Sequence, residues 1–141
     1  METVLFPAVQ DLARVFLTGQ LTDRGKAMPV GTKNPRTMPA KWICLESQGG
    51  DRDLWEWRPM INLYLYNRSD ETELERDANL VHSLMLDAAG VDIQAFEYPE
   101  PYPWIRKAQH ISGPSPVKDD DLPDLDVFRI VTIWHVLPIP S

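Results

Sequence analysis

Asp126-Val127-Phe128-Arg129-Ile130-Val131-Thr132-Ile133-Trp134-His135-Val136-Leu137 is the stretch whose reading decides the fold. It is β-branched and aromatic, and no Gly or Pro interrupts it before Pro138, which is the profile of a long strand. Phe128, Ile130, Thr132, Trp134 and Val136 share one face; Val127, Arg129, Val131, Ile133, His135 and Leu137 share the other. Both faces are mostly apolar, so the strand needs cover on both sides. The expectation is that Phe128, Ile130 and Trp134 face the chain's own helices. The second cover is then a neighbouring chain, or a loop such as 98–104.

Outward from that strand, the totals describe one ordinary domain over residues 1–141. A chain of 141 residues buries roughly two-thirds of its unfolded surface. Fourteen Lys and Arg against 21 Asp and Glu give a formal charge of −7, which excludes a general nucleic-acid coating role because that needs a basic face. Cys44 is the single cysteine, so no disulfide closes within the chain. The opening residues lack the basic segment of a signal peptide, and no apolar run approaches about 18 residues. A soluble protein of a reducing cytoplasm, without a membrane contact, is expected.

Leu5, Val9, Leu12, Ala13 and Phe16 recur at helical spacing, and Gly19 reads as the stop. A basic, Gly- and Pro-containing loop then spans 19–39 and carries Arg24, Lys26, Lys33 and Arg36. It is either a surface loop or an arm that orders against an acidic partner. Lys41–Ser47 alternates as a strand, 48–51 reads as a turn, and Leu54–Asn67 resumes as a second strand. In that strand Pro59 marks an edge or a bulge, because it has no N–H for a ladder. Ser69-Asp70-Glu71-Thr72 supplies cap residues and first-turn acids for a helix whose stripe is Leu74, Ala78, Val81, Leu84, Met85 and Ala88, ending at Gly90. Tyr98-Pro99-Glu100-Pro101-Tyr102-Pro103-Trp104 is stiffened by its prolines, 105–112 reads as a strand, and an acidic loop over 113–125 leads into the closing strand. The order α-β-β-α-β-β predicts an α+β fold: a mainly antiparallel sheet of about four strands with two helices packed on one face.

Catalytic chemistry finds little support. Asp119, Asp120, Asp121, Asp124 and Asp126 invite a metal, but Leu122-Pro123 stands where a calcium loop needs its glycine, so a solvated turn or an electrostatic contact is preferred. His82, His110 and His135 form no zinc-type spacing, although His110 and His135 could lie on adjacent strands. Nothing local makes Cys44 a nucleophile, and no phosphate loop or dinucleotide fingerprint occurs. The reading is a non-enzyme with no catalytic residue, no bound metal and no cofactor. Aromatic, proline-stiffened loops lose little entropy on contact, which makes Tyr98, Tyr102 and Trp104 candidates for a permanent interface.

The N-terminal amphipathic helix, the long Gly/Pro loop, the strand ending at Gly49-Gly50, the run Met60–Tyr66, the Ala- and Leu-rich helix and the closing strand share an order and texture. Together with 98–106 and 121–129, these segments resemble the tail terminator proteins of long-tailed (siphovirus-type) bacteriophages, particularly those of actinobacteria. The resemblance covers nearly the whole chain but is one of order, with no catalytic signature to anchor it. It implies a structural virion protein at the head–tail junction, assembled in the host cytoplasm as a homohexameric ring. Such a ring sits on the end of the tail tube, stops addition of the major tail protein and offers a surface to a head-completion or neck protein. DNA passes through the lumen without specific binding. In that setting Arg24, Lys26, Lys33 and Arg36 of one subunit are expected to pair with Asp119, Asp120 and Asp121 of the next. Another head–tail connector, a small metal-dependent enzyme using the aspartates, and a monomeric peptide-binding module are the alternatives.

Overall fold

The computed structural model describes residues 3–95 and 98–140, without the side chains at 95, 98 and 99. Two helices, α1 (Val9–Asp23) and α2 (Glu71–Leu86), alternate with seven strands: β1 (Val30–Gly31), β2 (Lys41–Arg52), β3 (Trp57–Asn67), β4 (Ile93–Ala95), β5 (Tyr98–Tyr102), β6 (Ile105–Val117) and β7 (Asp126–Val136). Five strands form one sheet in the order β1-β2-β3-β7-β6, and β4 with β5 forms a separate ribbon. The main sheet is antiparallel except for the β1–β2 pair, which is parallel. The fold is α+β with a mainly antiparallel sheet, as its sequence predicts, but has more strands than expected. Val30–Gly31 is too short to carry a period, and prolines disguise β5.

The closing strand lies beside β3, antiparallel, from Asn67↔Asp126 to Trp57↔Val136. Its expected parity holds. Phe128, Ile130, Trp134 and Val136 join Leu12, Phe16, Leu17 and Leu21 of α1 and Leu74, Val81, Leu84 and Met85 of α2 in one buried cluster. Trp134 is fully buried, meets Phe16 edge-to-face at 5.7 Å, and its Nε1–H donates to the Met85 carbonyl oxygen at 3.0 Å. Full burial of a side chain that size needs its one donor satisfied, and the end of α2 supplies the acceptor.

Three boundaries differ from expectation. α1 runs through Gly19 to Asp23 because Leu21 continues the apolar stripe and is fully buried, whereas Gly19 faces open space. The helix stops instead at Gly25, with φ +69°. Lys26 N–H donates to the Leu21 carbonyl and Gly25 N–H to the Thr22 carbonyl, a Schellman closure. Gln48–Asp51 is not the hairpin turn but a bulge within β2, opposite Pro59. Gly50 there has φ +92°, and any Cβ would stand 2.0 Å from the Arg58 carbonyl oxygen. The turn itself falls at Asp53–Glu56. Finally, β6 runs on through Gly113–Pro116, since an edge strand tolerates prolines on its unpaired side. Of the cap residues expected at 69–72, Asp70 takes the N-cap of α2, its Oδ1 accepting from Glu73 N–H at 3.0 Å.

Candidate functional site

The sheet face turned away from the helix cluster divides into three parts. At the end where β7 begins, Val127 packs with Met38, Tyr66 and Leu125, and Trp42, Tyr64, Val117 and Leu122 border them. The loop after β1 and the acidic loop before β7 meet here. Trp42 Nε1–H donates to Asn34 at 3.1 Å, Arg68 to the Met38 carbonyl at 3.1 Å, and the Tyr66 hydroxyl to Asp119 at 3.5 Å. Burial pushes the Tyr66 phenol above its ordinary pKa. Part of the second cover is therefore the chain's own loops. Beside them lies a cleft of about 390 Å³, floored by Leu122, Leu125, Val127 and Phe128 and rimmed by Glu71, Asp119, Asp120 and Asp126.

Mid-face, Arg129 donates to Asn62 Oδ1 at 3.0 Å and lies 5.9 Å from the Tyr64 ring centre. Asn62 is fully buried, and its Nδ2, like Arg129 Nε, has no partner among the described residues.

The far end, where β7 finishes, is built around a buried carboxylate. Glu56, 8% exposed, accepts from Arg106 Nε at 2.6 Å, from Arg58 at 3.3 Å and from the His135 Nδ1 side. His135 Nε2 reaches Gln109 Oε1 at 2.7 Å. The Arg106 hydrogen bond, working against desolvation and helped by His135 and Arg58, holds the Glu56 carboxyl down at about 2. The network joins the β2–β3 turn to β6 and β7. Asp53 Oδ1 also accepts from the N–H groups of Trp55 (2.8 Å) and Glu56 (2.9 Å), which fixes the turn from within. What this scaffold carries is apolar: Leu54 is 64% exposed and Trp55 77%. Leu5, 59% exposed, is near, because Arg52 donates to the Val4 carbonyl at 3.2 Å and stacks 4.7 Å from the Phe6 ring centre. Three of the four exposed large hydrophobics among the described residues thus gather at one end of the sheet.

The residues singled out from sequence are dispersed. Lys26 pairs with Asp77 of α2 at 3.3 Å, and Lys41, just beyond the arm, pairs with Glu73. Arg24, Lys33 and Arg36 are exposed. No ion pair links the arm to Asp119, Asp120 or Asp121 among the described residues, although Asn34 and Asp119 both approach Tyr66. Trp104 is buried in the helix-side core, donating to the Ile93 carbonyl at 3.1 Å, and Tyr102 stacks on it edge-on at 4.7 Å. Those two rings serve the chain's own interior, packing in and against the helix-side cluster. The Tyr98 side chain lies outside the described residues. The sequence reading put Leu54 and Trp55 at the start of a strand, but β3 begins at Trp57 and both stand exposed in the turn before it, and the Glu56 network was not foreseen. Their one signal was an apolar pair set between acids in a turn.

Metal and nucleophile chemistry gains no support. Among the described residues no group of three His, Cys, Asp or Glu side chains is placed to hold a metal ion. Cys44 is half-buried, its thiol pushed up by burial and then by Glu46. It pairs with Tyr64 across the sheet, and Tyr64 pairs with Arg129, six residues and roughly 20 Å of strand from His135. His110 sits opposite Thr132, not His135, and bonds instead to His82 at 2.9 Å; burial and then the His110 charge push the His82 imidazole below its ordinary pKa. No described helix is long and apolar enough to cross a membrane. In comparison with known proteins, no family model and no curated protein matches the chain.

Proposed function

We propose that this chain is a structural subunit of a bacteriophage virion, a tail terminator that assembles as a ring on the end of the tail tube. In this reading both helices pack on one face of the sheet, and the other face and its ends serve assembly. The ring ends growth of the tube of major tail protein and presents a docking surface to the head-completion or neck protein. It works by contact alone, without catalysis or cofactor.

The observation that carries the reading is the apolar end formed by Leu5, Leu54 and Trp55 on a turn locked by Glu56. An exposed indole held by buried ionic contacts is costly to a lone domain and useful to an assembling one. The net charge of −7 supports a lumen that DNA crosses without being gripped. The order of elements supplies the link to tail terminators in particular.

Negative-stain images of the purified protein, alone and with tail tubes, test it. Six-fold rings and capped tube ends are expected. Monomers indifferent to tubes at all concentrations overturn it.

A further inference from the structure

Resting on that reading, we infer that copies of this chain join head to tail, with the Leu54–Trp55 turn of one copy seated in the acidic-rimmed cleft of the next. The two features lie at opposite ends of the same sheet. The turn sits where β7 ends, since Trp57 pairs with Val136 and Glu56 bonds His135. The cleft sits where β7 begins, floored by Leu122, Leu125 and Val127. Ten residues of strand separate them, roughly 30 Å. Set about the length of the sheet apart, the knob and the cleft of one copy can engage two different neighbours at once. They make a heterologous contact, which closes into a ring or runs on as a filament.

Size and charge both fit. The cleft holds about 390 Å³, against the roughly 150 Å³ that accommodates a benzene ring, so an indole and part of a leucine can enter. Its rim carries Glu71, Asp119, Asp120 and Asp126 against Lys118. Beside the knob, Arg52 touches the Val4 carbonyl and the Phe6 ring, and no carboxylate pairs with it among the described residues. The acid on the turn, Asp53, is exposed, but its carboxylate is shared with the Trp55 and Glu56 amides and paired with Arg58 at 3.5 Å. Rigidity favours the contact further, because a knob already fixed by Glu56 and Asp53 loses little entropy on docking.

The test is sedimentation of wild type, Trp55→Glu, and two cleft variants, Leu122→Glu and the exposed-site change Asp120→Lys, with circular dichroism to confirm folding. Each single variant is expected to weaken association at least tenfold. A 1:1 mixture of Trp55→Glu with Leu122→Glu is expected to give dimers and nothing larger, because one intact knob meets one intact cleft. Oligomers unchanged by Trp55→Glu overturn the contact while leaving the ring reading standing. So does a folded Trp55→Glu that still forms rings but no longer caps tubes, since the knob then docks on another protein. A wild type that never associates overturns both.

Discussion

Removing the charge of Glu56 while keeping its shape is the sharpest probe of the locked turn. In Glu56→Gln the amide oxygen still accepts from Arg106 or His135, so the change isolates the ionic part of the network. Arg58 and Arg106 face solvent, where screening leaves such pairs little weight. The contact that matters is with His135, which like Glu56 is 8% exposed. A hydrogen bond to a charged group at that depth is worth about 2 kcal/mol, and for a chain of this length each kcal/mol moves the melting temperature by about 3–4 °C. Near neutrality Glu56→Gln should therefore melt about 6–8 °C below wild type. The pH dependence carries the sign. The folded carboxyl is held at about 2, below its ordinary 4.5, so its stabilisation is fully present above pH 4.5 and drains away as pH falls towards 2. Melting curves followed by circular dichroism from pH 7 to pH 2 should show the two proteins converging over that window. Asp53, also held below its ordinary range by the Trp55 amide, is common to both and cancels in the difference. A gap that stays constant down to pH 2.5, or no gap at pH 7, refutes the reasoning.

Three further changes test the frame that holds the turn. Trp134→Ala should cost about 3–5 kcal/mol in chemical denaturation, and Trp134→Phe less, about 1–2 kcal/mol, since it keeps an aromatic ring for Phe16 but leaves the Met85 carbonyl without its donor; a Trp134→Phe as stable as wild type would mean that the indole N–H is irrelevant. Gly19→Ala and Gly25→Ala should have opposite signs: the first stabilises α1 by about 0.5–1 kcal/mol, and the second costs about 1 kcal/mol by forcing a side chain to φ +69°. Two stabilising results would place the helix end elsewhere. Gly50→Ala should cost more than about 2 kcal/mol, because a positive φ and a backbone clash at 2.0 Å act together, and a neutral result in the same melts would remove the bulge.

What could be read from the residues was what local spacing controls. The parity of β7, the stripe of α2 and the Asp70 cap each depend on neighbours within a few positions, and each is where periodicity places it. The end of α1 was misread because a mid-helix glycine costs only about 1 kcal/mol against Ala, less than burying Leu21 contributes. The Gly49-Gly50 bulge was misread as a turn because the same residues serve both, and only the pairing partner, Pro59, distinguishes them. The Glu56 network had no local trace at all. Its partners lie 50 and 79 residues away, and an acid in a turn looks like any solvated acid.

The closing strand was expected to need a neighbour because both its faces are apolar. The structure divides that need in three. Val127 takes its cover from Met38 and Leu125, loops of the same chain. Val131 is buried with Asn62 as its cross-strand partner and Arg129 two residues before it. His135 closes the row with a buried hydrogen bond to the Glu56 carboxylate in place of an apolar contact. Ile133, half-buried beside Met60 and Gln109, is the apolar residue of that face within β7 that lacks full cover, so the strand by itself calls far less for a second chain. The unmet apolar surface lies at the ends of the sheet, on Leu5, Leu54 and Trp55 at one and in the open cleft over Leu122 and Leu125 at the other. A sheet face left uncovered would have asked for a partner lying across it. Surfaces at the two ends ask for partners in line, and repeated contacts in line with a fixed turn between copies are what build a ring.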